Sequence, residues 1–395
     1  MQKLSPLQIV PLAALTAIGM LAIDLYLPAL PYLAQELNTS LPTVQGTISV
    51  YMIALALSQL AWGAVADKLG MRGTLLAGIA IEIAAGIGCA IAADIGLLIV
   101  FRAIQGIGAG AATVVVPVLL RRRCSDTDAV RALSWVSMAE SAIPAVAPVL
   151  GTLILLRADW RFCFWIIVVL AVLLIPFVLK IRDDQPLHLH RDEPASYLLL
   201  LRHADFLCDA ALYGLSFGAL VTFVASAPHL IHQWLQEGPE IFVVMQICGV
   251  SGFMLGAARG DPLVQRHGAE RIMRIGGFMQ LLATLALALL GLLAFKHAAA
   301  MIIAWAVFCG GLGLRGPAAM TRALSVPPAL TSLASGFLMF LALILSGIGT
   351  QIAGFLLPYG MLPVALLMAA MTALSLRLHK PMRKASHKTA PPNQD

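Results

Sequence analysis

The chain has 395 residues, 60% of them hydrophobic and only 12% charged, with a mean hydropathy of +0.89 and a formal net charge of +6. Soluble domains carry about 25% charged residues, so this composition excludes an ordinary water-soluble domain, and lipid must solvate most of the surface. The positive charge is spread over short connections and not gathered with aromatics on one face, which fits anionic lipid headgroups and excludes nucleic acid as a partner.

A membrane-spanning helix needs about 20 predominantly apolar residues. Stretches of that kind fall at 8–30, 45–65, 74–93, 96–118, 132–156, 162–181, 207–231, 240–258, 272–295, 299–320, 332–357 and 360–378, an all-α integral membrane protein of twelve transmembrane helices. With both termini cytoplasmic, Arg157, Arg161 and Lys296 fall in outer loops and Arg102 and Arg315 inside spans, while every other Lys and Arg lies on the inner side. That asymmetry obeys the positive-inside rule and predicts a multi-pass membrane protein with cytoplasmic ends. The pairs 3/4 and 9/10 are the narrowest divisions, and merging either would invert everything after it.

The first apolar run carries Asp24 and no small-residue cleavage site, so it reads as a retained first helix and not as a signal peptide. Between spans 2 and 3 lies WGAVADKLGMR, Trp62–Arg72, in which Gly63, Asp67, Lys68, Gly70 and Arg72 form a charged tight turn. Such a turn at the cytoplasmic surface can hold two helices together and release them, a conformational latch for a transporter that rocks between two states.

Charges at bilayer depth are costly and mark a path or a relay. The first half has Asp24, Glu82, Arg102 and Glu140; the second has Arg315 well inside a span. Asp24 and Arg102 each lie about six residues from the outer end of their helix, about 9 Å deep at 1.5 Å per residue, so they are placed to face one another. Arg102 keeps its proton, whereas a carboxyl gains or loses one with its surroundings, which makes Asp24 the proton carrier. A permanent ion pair serving packing alone is the competing reading. Glu140, about 12 Å from the inner end of helix 5, is expected to touch cargo, to take a second proton or to bond a neighbouring helix. Helix 4 carries Gly106 and Gly110 at close-approach spacing, and helix 5 carries Pro144, Pro148 and Gly151, a bend suited to gating or to packing.

The run 182–205 is the longest polar interruption and divides the chain into a six-helix bundle at 1–181, a cytoplasmic linker, a second bundle at 206–378 and a basic tail at 379–395. Parallel halves closing alternately about a midplane site are one known transporter design. His188 and His190 in the linker have no further ligands at metal spacing. The six cysteines are far apart and form no C-x-x-C motif, so no metal and no cofactor is expected. Arg315, toward the inner half of helix 10, is placed to attract anionic cargo. Gly214, Ser216 and Gly218 spell G-x-S-x-G, and Gly311, Gly313 and Gly316 spell G-x-G-x-x-G, but both fall in apolar helical runs and lack the strand contexts that catalysis or nucleotide binding needs.

Several motifs together resemble the major facilitator superfamily, and within it the drug:proton antiporters of the Bcr/CflA type. Gly63, Asp67, Lys68, Gly70 and Arg72 match the superfamily's loop between helices 2 and 3, with Met71 at a position that is frequently basic. Leu98, Arg102, Gln105, Gly106, Gly108 and Gly110 match the helix 4 motif; Asp24, Tyr26, Pro28, Ala29 and Pro31 match the helix 1 signature. Pro148 and Gly151 fit the antiporter motif of helix 5 in part, since Ile143, Ala147 and Thr152 stand where glycines are often found. The resemblance implies export of amphipathic drugs such as chloramphenicol-like compounds by a monomer, driven by the proton gradient, with Asp24 and Arg102 in coupling and Tyr26, Gln105, Glu140 and Arg315 about the cargo. Transport of a siderophore or another anionic metabolite, in either direction, is the alternative.

Overall fold

The computed structural model describes residues 6–181, 197–327 and 330–379, and every regular element among them is helical. The first span is two pieces: α1 (Pro6–Asp24), then a 3-10 turn (Leu27–Ala29) and α2 (Leu30–Glu36). The sequence predicts one continuous helix here. The break follows from Pro28, which has no N–H to give the carbonyl of Asp24 and so ends the α-helical ladder there.

Spans 2 and 3 form α3 (Leu41–Ala90), whose 50 residues are too many for one crossing, and the chain reverses at Gly70, φ 71° and ψ 171°. That φ is open to glycine and strained for other residues. The Asp94 side chain caps α4 (Ile95–Arg123) by accepting from the Leu97 N–H at 2.9 Å, which keeps spans 3 and 4 apart. α5 (Asp126–Leu155) and α6 (Arg161–Leu179) complete the first half.

Residues 182–196 of the expected linker lie outside the described residues. Its last part is a short helix, α7 (Tyr197–Leu201), because the apolar run brings Leu200 into a small core with Phe206, Ala210, Ala323 and Leu330. The second half consists of α8 (Ala204–His229), extended by a π-helical stretch (Leu230–Leu235), α9 (Glu240–His267), α10 (Ala269–Leu292), α11 (Ala298–Ala323), α12 (Thr331–Leu356) and α13 (Met361–Arg377). Counting α1 with α2 as one span, and α3 as two about Gly70, the described helices make the twelve crossings that the hydropathy predicts. Of the tail, 380–395 lie outside the described residues.

Lipid-facing surfaces are plain on α6, where Val169, Leu173 and Phe177 recur at i, i+4 and are 55%, 59% and 47% exposed. A stripe of that size would be a liability in water and is at home in hydrocarbon.

Within the halves, α3 packs on α4 and α6, and α1 on α5; α9 packs on α11, α8 on α12, and α10 on α11 and α13. The halves meet through α3 against α12 and α5 against α9. Hydrogen bonds across that seam are Gln45 Nε2 to the Ala225 carbonyl at 2.9 Å, Gln351 Nε2 to the Pro42 carbonyl at 3.1 Å and Gln246 Nε2 to the Pro144 carbonyl at 3.1 Å. All of these lie in the portions of the helices nearer the outer loops, so the outer side is the sealed one.

Candidate functional site

The largest buried charge of the first half is Arg102 on α4, 0% exposed. Its Nη1 donates to the Gln105 Oε1 at 2.8 Å and to the Ala22 carbonyl at 3.0 Å, and its Nε donates to the Thr47 carbonyl at 3.4 Å. Ala22 is two residues from the end of α1, so its carbonyl is among those left without a helical partner, and the guanidinium supplies the donor.

Aromatic faces close the rest of the site. The Arg102 Cζ is 4.3 Å from the Tyr51 centroid, 5.4 Å from that of Tyr26 and 5.8 Å from that of Phe164. Desolvated cation–π contacts of this kind are worth about 2 kcal/mol. The Tyr26 hydroxyl shares a 2.7 Å hydrogen bond with Thr47 Oγ1, and the Tyr51 hydroxyl donates to the Gly19 carbonyl at 2.7 Å. Arg102 Nη2 and Gln105 Nε2 are buried without a hydrogen-bond partner.

Asp24, expected to face Arg102, forms no hydrogen bond or ion pair with it among the described residues; it ends α1, partly exposed, two residues beyond the carbonyl that Arg102 holds. The guanidinium is taken up instead by the Ala22 and Thr47 carbonyls and by Gln105. Tyr26 and Gln105, expected beside cargo, are both 0% exposed and enclose the guanidinium. Glu140 on α5 is partly exposed and meets Thr16 of α1.

Gly151 on α5 serves the same corner. A Cβ there would collide with the carbonyl oxygen of Leu25, the residue after Asp24, so glycine is what lets α5 approach the break in helix 1. Pro148 acts differently. Lacking an N–H, it frees the carbonyl of Pro144 one turn back, and that carbonyl accepts the bond from Gln246 of the other half.

Arg315, 1% exposed, gives Nη1 to Gln280 Oε1 at 3.0 Å and Nη2 to Ser375 Oγ at 3.1 Å, tying α11 to α10 and α13 within the second half, while its Nε is buried without a partner. In the charged turn, Asp67 Oδ1 is buried and makes no hydrogen bond, while Lys68 is exposed. Two clusters escape a reading by depth alone. Glu36, Trp160 and Arg161 join α2 to α6, with Arg161 Nη1 2.7 Å from Glu36 Oε1 and Trp160 Nε1 2.9 Å from Glu36 Oε2. Arg322 Nε lies 3.0 Å from Asp209 Oδ2, joining α11 to α8. Asp209 is the third residue of its predicted span, and Glu36 stands outside one, so neither is flagged as an intramembrane charge.

The G-x-S-x-G run falls within α8 and the G-x-G-x-x-G run within α11, so neither sits on the turn its chemistry requires. Among the described residues no cluster of His, Cys, Asp or Glu is arranged to hold a metal.

A family model described as Major Facilitator Superfamily matches residues 12–350. The chain is 32% identical over 235 residues to "Multidrug resistance protein MdtL" of Shigella dysenteriae serotype 1 (strain Sd197), and equally to that of Escherichia coli O17:K52:H18 (strain UMN026 / ExPEC). Each alignment covers 58% of this chain and 60% of the relative, so the chain matches less than two thirds of those proteins' length. The crystal structure of the D-xylose-proton symporter superposes with a TM-score of 0.71 at 13% identity, covering 95% of this chain and 97% of that one. The in meso crystal structure of the POT family transporter PepTSo does so with 0.73 at 15%, again over 95% and 97%. Identities that low bear on the fold alone. The loop, helix 1 and helix 4 motifs, the twelve crossings and the matched family model agree, and the chain belongs to the major facilitator superfamily.

Proposed function

We propose that this protein is a proton-coupled exporter of amphipathic drugs in a bacterial inner membrane, working as a single chain and powered by the proton gradient. The observation that carries the reading is the hold of Arg102 on the Ala22 carbonyl: a fully buried cation grips the end of α1 two residues before its one carboxyl, Asp24. A proton taken up or released at Asp24 changes the charge at a broken helix end, and a broken end moves at less cost than a helix interior. Arg102, caged by Tyr51, Tyr26 and Phe164, is the fixed pole against which that change is felt.

The relatives' printed name supports drugs as the cargo class. The bonds of Arg315 to Gln280 and Ser375 inside the second half weigh against the anionic alternative. Asp67 Oδ1, buried without a hydrogen-bond partner, supports a latch that is released while the outer side is sealed. Within the cycle, protonation of Asp24 from the outside favours the inward-open state, and loss of that proton inside accompanies loading of cargo at Glu140.

The test is transport of chloramphenicol in proteoliposomes under an imposed pH gradient. Wild type accumulates the drug against its gradient, and Asp24→Asn loses accumulation but keeps downhill exchange. Full accumulation by Asp24→Asn would sink the coupling scheme.

A further inference from the structure

Glu82 is the one intramembrane carboxyl that the scheme above leaves unused. It lies on the second limb of α3, is 6% exposed, and its Oε1 is buried with no hydrogen-bond partner. The surroundings offer little. The side chain borders a small cavity of about 10 Å³ walled by Leu15 and Ile18 of α1, Gly108 and Ala111 of α4 and Ala171 of α6, room for about one water molecule. Helices α3 and α4 approach closely here: a Cβ on Gly108 would lie 2.8 Å from the Glu82 nitrogen, and one on Gly78 would lie 2.9 Å from the Gly108 carbonyl oxygen. The backbone of Glu82 is thus held in a tight seam between the two helices.

Arg102 is the charge that acts on Glu82, and Tyr51 is within the electrostatic reach of Glu82, Arg102 and Asp24 together. Other titratable groups facing this corner are Cys89 on α3 and Tyr26 beyond α1, both already turned to Arg102 or its partners. α6 presents Cys163, whose thiol is spent on the Leu25 carbonyl. An ionised carboxylate with an unpaired oxygen in such a place is expensive, and the neutral acid is far less so.

We propose that Glu82 is a second proton-binding carboxyl of the first bundle, buried beside a water-sized cavity in the seam of α3 and α4. The step is a proton exchange: the carboxylate takes a proton from a hydronium ion reaching the adjoining cavity, leaving water behind, and gives it back to water there as hydronium. A proton on Glu82 then removes one negative charge from the field of Arg102, which holds the end of α1 through the Ala22 carbonyl. This rests on the proton-coupled reading, yet the protonation itself is measurable without transport.

The experiment is an infrared pH titration of the purified, cargo-free protein in detergent, following the carbonyl stretch of protonated carboxyls. A titrating band present in wild type and Asp24→Asn but lost in Glu82→Gln is the expected result. A band unchanged in Glu82→Gln, or lost only in Asp24→Asn, overturns the assignment. Should Glu82→Gln fail to elute as a folded species, Glu82→Asp shifts the midpoint of the band; an unmoved midpoint overturns it too. If wild type shows the Glu82 band but fails to accumulate chloramphenicol under a pH gradient, the export reading falls and the proton site stands.

Discussion

Gln246 on α9 donates to the carbonyl of Pro144 on α5 across the seam between the halves, 3.1 Å away, and that carbonyl is available because Pro148 has no N–H to occupy it. Helix 5 thus offers an acceptor across the seam at the turn where Pro148 leaves it free.

Replacing Gln246 by Leu leaves the Pro144 carbonyl without its donor in the sealed state. A net loss of about 1 kcal/mol corresponds to about a fivefold shift toward opening of the outer side. Pulsed electron resonance between spin labels at the exposed positions Leu153 and Val244 reads that population directly. A distance distribution identical to that of the parent would show that the bond does not hold the gate.

The Tyr51 ring and its hydroxyl make separable contributions. Tyr51→Phe keeps the face under Arg102 and loses the bond to the Gly19 carbonyl, about 1 kcal/mol. Tyr51→Leu loses the cation–π contact as well, a further 1–2 kcal/mol or about that. Thermal unfolding in detergent should rank wild type above Phe and Phe above Leu. Equal melting of Phe and Leu would mean that the ring face contributes nothing to holding the guanidinium.

The helix count was legible in the sequence because about 20 apolar residues are needed to cross the bilayer, whatever the helix then touches. The reversal at Gly70 was legible as well, as a glycine inside a charged turn. Depth was legible for Asp24 and Arg102, and depth alone suggested that they meet. Each residue turns the helix by about 100°, so two groups at one level can face different ways; Arg102 turns to Tyr51, Tyr26 and the Ala22 carbonyl. Pro28 stood in plain view but its effect on helix 1 went unread, because proline inside a transmembrane helix often only bends it. The bonds of Arg315 to Gln280 and Ser375 depend on tertiary packing that no periodicity encodes.

Gly151 tests how closely α5 must approach the broken helix. Gly151→Ala drives a Cβ into the Leu25 carbonyl oxygen, and overpacking of this sort costs about 1–3 kcal/mol. The displaced segment carries Asp24, so gradient-driven accumulation should fall further than thermal stability alone explains. Gly336→Ala is the control, since nothing lies within 4 Å of a Cβ there. It should melt at or slightly above wild type, alanine being the better helix former by up to about 1 kcal/mol.

His379, just past α13, provides a pH signature at the inner face. It is 9% exposed, and burial together with the cations Arg322, Arg274 and Arg315 pushes its imidazole down from 6.5 to about 4, with Glu270 opposing. In the unfolded chain the ring takes its proton near pH 6.5; in the folded chain it does so only near 4. The unfolded state therefore binds more protons between those values, so stability rises with pH across the window. It is fully present above about pH 6.5 and declines as pH falls toward about 4. Melting curves of the detergent-solubilised protein should show that decline, and His379→Leu, which keeps an apolar contact and removes the titration, should flatten it. A slope that persists unchanged in His379→Leu assigns the acid sensitivity to other groups and removes His379 from the account.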